Sequence, residues 1–192
     1  NTVYRLTETQ APEGYIPDSQ PRYYAIAQKD AATGTYPAEL AEWSGRGVTI
    51  YYYSSTYDVT VYNKKGRLRL EKTFQNVNGE KVTGAGIPDG VWQFGLYACR
   101  SDGTYDSTSC LQKLEIICTS GTLAYRLDGV SVAEPEFTQL SAGSQYSVLE
   151  LDRDGNPIST TGTVAAMKNG LTYRVDYTGG IRAVTIPADG TE

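Results

Sequence analysis

Apolar residues recur with a period of two in short runs separated by Gly, Pro, Asp and Asn. This is the pattern of strands with one buried face rather than of amphipathic helices. The runs VYRLTE, RYYAIAQ, GVTIYYY, YDVTVYN, RLRLEKTF, VWQFGLYA, LQKLEIIC, TLAYRL, QYSVLEL, LTYRVDY and RAVTIP predict strands. Between runs stand Asn78-Gly79, Asp102-Gly103, Asp154-Gly155 and Asn169-Gly170, dipeptides that accept positive φ in tight hairpins. One helix is predicted, over YPAELAEW, with Pro37 suited to its first turn and Ala, Glu and Leu behind it. The fold class is all-β, in sandwiches.

The composition breaks at Asn63-Lys64-Lys65-Gly66, where an apolar run meets a short basic turn before alternation resumes at Arg67. That break predicts two domains, 1–65 and 66–192. A short repeat supports two related modules: Tyr4-x-Leu6-x-Glu8 has a counterpart in Tyr146-x-Val148-x-Glu150.

Strand parity then points to chemistry, because alternate residues share a face. Lys72 shares a face with Leu68, Leu70 and Phe74, Asn63 with Tyr57, Val59 and Val61, Glu8 with Tyr4 and Leu6, and Glu150 with Tyr146 and Val148. Each polar group is therefore expected on a core-facing side. Singly, each has an ordinary reading: a strand Lys that snorkels to solvent, an Asn that caps a turn, carboxylates on a rim. Together they form a reactive set. Burial drives amines and carboxylic acids toward their neutral forms, and a neutral Lys beside an Asn carboxamide is a nucleophile beside an electrophile. A protonated Glu between them polarises the carbonyl and passes its proton to the departing ammonia, giving a Lys–Asn isopeptide bond.

The same residues carry a family resemblance. YRLTETQAPEGY, Tyr4 to Tyr15, resembles the E-box of Cna-B (SpaA-type) domains of Gram-positive surface adhesins and pilins. VTVYNKKGRLRLEKTF resembles the junction between two such domains, and FTQLSAGSQYSVLEL a degenerate second E-box without the Ala-Pro-x-Gly-Tyr tail. The resemblance implies two tandem immunoglobulin-like Cna-B-type sandwiches, the first lacking its N-terminal strands. It implies that Glu8 and Glu150 are the catalytic carboxylates, Asn63 the acyl partner of the first module and Lys72 the nucleophile of the second. The Lys strand of the first module is expected before Asn1. The second module ends without the expected Asn, with Asp176 and Asp189 as the conceivable substitutes. The implied function is a stalk or shaft segment of a secreted, cell-wall-anchored surface protein. Its partners would be neighbouring domains of that protein, and its chemistry a single autocatalytic turnover rather than enzymatic cycling. The pilus-polymerising Tyr-Pro-Lys-Asn context is not matched by Tyr36-Pro37-Ala38.

Composition narrows the alternatives. The 192 residues include no His, which excludes Ser-His-Asp and Cys-His catalysis and His-ligated zinc. With 17 Lys+Arg against 22 Asp+Glu the net charge is −5 and the basic residues are scattered, so nucleic acid is not an expected partner. No run reaches the length of a membrane span, and NTVYRLTETQ reads as the start of an excised or mature piece. Of 3 Cys, Cys99 and Cys110 flank SDGTYDSTS and form a candidate disulfide, the alternative being reduced thiols. Asp152-Arg153-Asp154-Gly155-Asn156 has the look of a Ca²⁺ loop but lacks its downstream Glu and reads as a hairpin turn, so no metal or other cofactor is expected. Two other function classes stay open. One is a module that binds a host extracellular-matrix protein or glycan through Tyr51, Tyr52, Tyr53 and Tyr57 or the loop holding Trp43. The other is an accessory domain of a secreted hydrolase.

Overall fold

Alternating runs become sheets where turn chemistry lets neighbours pair, and this chain does so twice. The computed structural model describes residues 2–52, 59–76, 78–166, 172–177 and 182–188. It is mostly β, with 43% strand, 6% helix and several sheets, and it divides into two compact units, Asn1–Lys64 and Lys65–Glu192.

The first unit holds β1 (Val3–Leu6), β2 (Arg22–Ala27), α1 (Glu39–Gly45) and β3 (Val48–Tyr52). The sheet order is β1-β2-β3. β1 runs antiparallel to β2, whereas β2 and β3 are parallel. A parallel neighbour requires a crossover rather than a hairpin, and the chain between β2 and β3 supplies one containing α1, which packs on β3. The buried residues are few: Ala25, Ala27 and Leu40. Tyrosines fill the remaining surface by packing on one another, Tyr24 stacked on Tyr51 at 5.8 Å and Tyr36 edge-on to Tyr52 at 4.8 Å.

Two expectations for this unit are corrected. Every residue of β1 is exposed, Tyr4 at 56%, because β1 is the edge of a three-stranded sheet and parity cannot bury a face that no second layer covers. Val59–Asn63 joins no β-ladder among the described residues. The Thr60 carbonyl accepts instead from the Arg22 side chain at 2.7 Å, and Lys64 forms an isolated antiparallel bridge with Ile16. Tyr53, Tyr57, Asp189 and the Asn169-Gly170 turn lie outside the described residues.

The second unit starts with β4 (Gly66–Arg69), β5 (Phe74–Gln75) and β6 (Lys81–Val82), followed by a single 3₁₀ turn at Gly84–Gly86. The main sheet draws on β7 (Gly90–Ala98), β8 (Gln112–Thr119), β9 (Thr122–Leu127), β10 (Val130–Val132), β12 (Gln145–Leu151) and β15 (Val184–Thr185). Its order is β10-β9-β8-β7-β12-β15, antiparallel throughout. β11 (Glu136–Leu140) pairs with β4 as a separate ribbon. Leu68, Leu70, Phe137 and Leu140 of that ribbon pack with Trp92, Phe94, Leu96, Leu114 and Ile116 of β7 and β8. This is the two-layer arrangement that lets a sheet bury a face. The opposite face carries Tyr97, Leu149 and Leu151 with Tyr105 and Tyr177. Nearby in sequence, β13 (Val164–Ala166) and β14 (Thr172–Arg174) form a small hairpin.

Parity is followed closely where a second layer exists. From Arg67 to Phe74 the odd positions are exposed and the even ones half-buried, even past the end of β4. Both faces of β12 are covered, Tyr146 and Val148 packing in the main core and Leu149 and Leu151 in the cluster opposite, and Tyr146, Ser147, Leu149 and Glu150 are all buried.

The β8–β9 connection shows how tightly turn geometry is specified. Thr119 pairs with Thr122, leaving Ser120 (φ 49°) and Gly121 (φ 77°) as the two turn residues, the left-handed pair that a type I′ hairpin needs. A Cβ on Gly121 would stand 2.4 Å from the backbone carbon of Gly84. Gly121→Ala combines backbone strain with a clash against immovable main chain and is expected to destabilise the second unit by about 1–3 kcal/mol, read as a lowered urea midpoint. An unchanged midpoint would refute the close approach of the hairpin to the 3₁₀ turn.

Candidate functional site

The sequence-predicted residues assemble as two separate pairs, one in each unit. In the first unit, β1 ends at Leu6 and Glu8 follows, half-buried. The Asn63 Nδ2 donates to both Glu8 oxygens, at 2.8 Å and 2.7 Å, and the Asp18 backbone N–H donates to Oε2 at 2.6 Å. Asp18 is itself fixed: its carboxylate accepts from the Gln20 N–H and pairs with Arg22. The Gln20 amide first, and then the Arg22 guanidinium, hold the Asp18 carboxyl below its usual value. Arg22 reaches from there to the Thr60 carbonyl, three residues before Asn63. Asp18 and Arg22 thus link the Glu8 segment to the Asn63 segment.

In the second unit, Lys72 follows β4 on the core-facing parity and Glu150 comes from the enclosed strand β12. Lys72 Nζ lies 3.0 Å and 3.1 Å from the Glu150 carboxylate oxygens. Their side chains are 22% and 8% exposed. Phe94 and Tyr173 present rings 5.5 Å and 5.7 Å from Nζ, a distance at which an aromatic face attracts a cation. The Glu150 main chain is equally constrained. Its N–H donates to the Tyr177 hydroxyl at 2.8 Å, that hydroxyl donates to the Ile158 carbonyl at 2.9 Å, and the Ile158 N–H returns to the Glu150 carbonyl at 2.8 Å.

Buried tyrosines surround this pair. Burial, followed by the Glu150 charge and hydrogen bond, pushes Tyr173 well above the usual phenol range. Burial pushes Tyr177 up to about 12, and burial with the neighbouring Cys110 thiol pushes Tyr97 up to about 12.

Chemically, the arrangement holds an amine within proton-transfer distance of a carboxylate in one unit, and a carboxamide nitrogen against a carboxylate in the other. Glu8 meets Asn63, and Glu150 meets Lys72. The candidate disulfide is not formed: Cys99 and Cys110 are free thiols, Cys99 against the Ser147 hydroxyl at 3.1 Å and Cys110 against the Gln112 carbonyl at 3.2 Å. Asp152 behaves as a turn residue, its Oδ1 accepting from the Asp154 and Asn156 N–H groups. Burial raises its carboxyl, but these donors outweigh it and hold the group below its usual value. No group of three or more metal-ligating side chains stands together among the described residues. Sequence reasoning missed Asp18, Arg22, Tyr173 and Tyr177. The Asp18-x-x-x-Arg22 spacing and the Tyr173-x-Val175-x-Tyr177 alternation were visible, but not their partners: the Thr60 carbonyl is 38 residues from Arg22, and Glu150 is 27 from Tyr177.

Comparison with known proteins returns no match, whether to protein-family models, to curated proteins or to solved structures.

Removing one partner of an enclosed ion pair leaves the other uncompensated. Lys72→Met is expected to cost about 2–4 kcal/mol, the low side of that range because Lys72 keeps some solvent, while Lys72→Met with Glu150→Leu costs clearly less than the two single changes summed. Additive urea-denaturation energies would mean that the pair is uncoupled. The tyrosines give a pH prediction. A phenol whose folded value exceeds its unfolded value of about 10 binds its proton more tightly in the folded state, so stability is intact below about pH 10 and falls as pH rises toward 12. Absorbance near 295 nm should show at least these three of 16 tyrosines ionising only with unfolding. Smooth titration of all of them in folded protein would contradict their burial.

Proposed function

We propose that the two units are tandem immunoglobulin-like modules of the Cna-B type, each built around a Lys–Glu–Asn isopeptide site, and that the chain is a load-bearing spacer of a Gram-positive surface stalk. The observation that carries this reading is the pairing itself. Two glutamates at the same place in a Tyr-x-aliphatic-x-Glu repeat contact two different reactants of one condensation, Asn63 at Glu8 and Lys72 at Glu150.

The reaction balances without a cofactor. Proton transfer from the Lys Nζ to the Glu carboxylate yields a neutral amine and a carboxylic acid. The amine attacks the Asn Cγ, the Glu proton passes to Nδ2 as the Cγ–Nδ2 bond breaks and ammonia leaves, and the second proton lost from Nζ returns to the Glu carboxylate. Asn63 already directs its leaving nitrogen at Glu8, and Lys72 already directs its nucleophile at Glu150. The amine for the first site must come from a Lys on a strand laid beside Asn63, and the acyl group for the second from an Asn or Asp strand laid beside Lys72. Packed strands contribute orientation, which is worth several orders of magnitude in effective molarity for such a step. The product strap joins the strands that carry its two ends, and under tension a strand so joined cannot be peeled from its sheet. Like a disulfide, it also restricts the unfolded chain, but it does not depend on redox state.

Intact-protein mass spectrometry of the full polypeptide containing this chain tests the reading. Each bond to an Asn removes one ammonia, about 17 Da, and a bond to an Asp would remove one water, about 18 Da. Glu8→Ala and Glu150→Ala should each restore one such increment. A mass equal to the unmodified sum would remove the cross-link.

A further inference from the structure

Asn63 sits on a segment that has no sheet to hold it. Residues 59–63 join no β-ladder among the described residues, and Val59, Thr60, Val61, Tyr62 and Lys64 are all exposed, leaving Asn63 as the half-buried member of the run. Neither ladder hydrogen bonds nor apolar packing therefore places its side chain, and main-chain groups without ladder partners must be met in some other way. Two of them are met, one on each side of Asn63. The Thr60 carbonyl accepts from Arg22 Nη1 at 2.7 Å, and the Lys64 carbonyl accepts from the Ile16 N–H at 2.8 Å. Both donors belong to the stretch 16–22, which leads into β2 at Arg22. The same stretch supplies the Asp18 N–H that donates to Glu8 Oε2 at 2.6 Å. One piece of chain thus orients the carboxylate and carries the carboxamide segment.

From this geometry we propose that Arg22 is the positioning residue of the Asn63–Glu8 pair. A guanidinium is a rigid planar fork, and here one arm takes the Thr60 carbonyl while the other takes the Asp18 carboxylate. Asp18 is tied in turn to Glu8 through its main chain, and Glu8 to the Asn63 Nδ2 through both carboxylate oxygens. The contacts close a ring from Glu8 through Asp18, Arg22 and Thr60 to Asn63 and back, with hydrogen bonds at every link except the short run of chain from Thr60 to Asn63. Without Arg22 the ring opens, and the Ile16–Lys64 bridge is left to hold the segment from one side of Asn63 only. For the proposed condensation the consequence is orientation. Nδ2 is the atom that must collect a proton from Glu8 and leave, and a donor held on the carboxylate before the amine arrives has that part of the step prepared.

The assignment rests on the cross-link reading for its purpose, whereas its geometry is read on the 192-residue chain itself. In ¹⁵N-labelled protein the Asn63 side-chain amide, identified by its loss in Asn63→Ser, should show slowed hydrogen exchange. Arg22→Lys keeps the positive charge beside Asp18 but replaces the fork by a single nitrogen. It should speed Asn63 exchange about fivefold, the factor that one net hydrogen bond supplies, while the β1 and β2 main-chain amides stay as protected as in the parent. Asp18→Asn removes the charge that aims the guanidinium, keeps the N–H to Glu8, and should act in the same direction. In the full polypeptide Arg22→Lys should slow the mass loss that depends on Glu8 and leave the one that depends on Glu150 unchanged. Unaltered Asn63 exchange in either variant with the β1–β2 amides intact, or a parent chain with no protected Asn63 amide, overturns the assignment. An unshifted intact mass of the parent polypeptide, alongside an Arg22-dependent Asn63 signal, would instead remove the cross-link and leave Arg22 as the clamp of an ordinary carboxylate–carboxamide contact.

Discussion

A buried carboxylate is the constraint around which the second unit is organised. Glu150 lies on β12 opposite Phe94 of β7, on a strand whose Ser147 and Leu149 are almost fully buried. An ionised carboxylate in such a place costs several kcal/mol unless its charge and its lone pairs are met. Lys72 supplies the countercharge and its ammonium donates to both carboxylate oxygens, Phe94 and Tyr173 present cation-attracting rings to that ammonium, and the Tyr177 hydroxyl satisfies the strand's own N–H. The β4–β11 ribbon is placed accordingly. Gly66 lies so near Ile186 that a Cβ there would come within 2.3 Å of its methyl group, and Leu68 and Leu70 beyond it pack on the core.

The first unit meets the same problem with less enclosure. Glu8 is half-buried and its charge is met by donors rather than by a cation: the Asn63 amide and the Asp18 N–H. Asp18 and Arg22 form the countercharged pair one step removed. With Ala25, Ala27 and Leu40 as its buried residues, this unit has little apolar area with which to hold Val59–Asn63 in place, and polar contacts take over that task. The exposed β1 edge and the ladder-free Val59–Asn63 segment belong together physically, because each is a strand-length stretch whose main-chain groups are not paired on both sides.

What could be read from the sequence follows from these differences. Alternation located β4, β7, β8, β9, β12, β14 and β15 but not β6, β10, β11 or β13, and parity placed Lys72 and Glu150 on core-facing sides, because a second layer is present to make parity meaningful. The same rule misplaced Tyr4 and Leu6, since alternation says only that two faces differ and not that either is covered. Three of the four turn dipeptides named from the sequence fall in described turns, at Gly79, Gly103 and Gly155 with positive φ. Ser120-Gly121 and Asp128-Gly129 make two-residue hairpin turns of the same kind, with positive φ at both positions. Tyr173 and Tyr177 were not legible as site residues. Their alternation predicts a strand, but nothing local says that this strand folds back over a carboxylate more than twenty residues earlier.

The glutamate partners also constrain the order of events at such a site. For the proposed cross-link, Lys72 already lies 3.0 Å from the carboxylate that would accept its proton, so their encounter would not be the slow step. What would remain is the arrival of an acyl group. An entering strand that covers the site excludes water, and excluding water weakens the case for two separated charges relative to an amine and a neutral acid. Strand docking and activation of the nucleophile are then one event. A lysine held by an anion and two rings would stay inert while the chain folds and would become reactive only when the last strand closes over it, which confines the irreversible bond to the correctly assembled sheet.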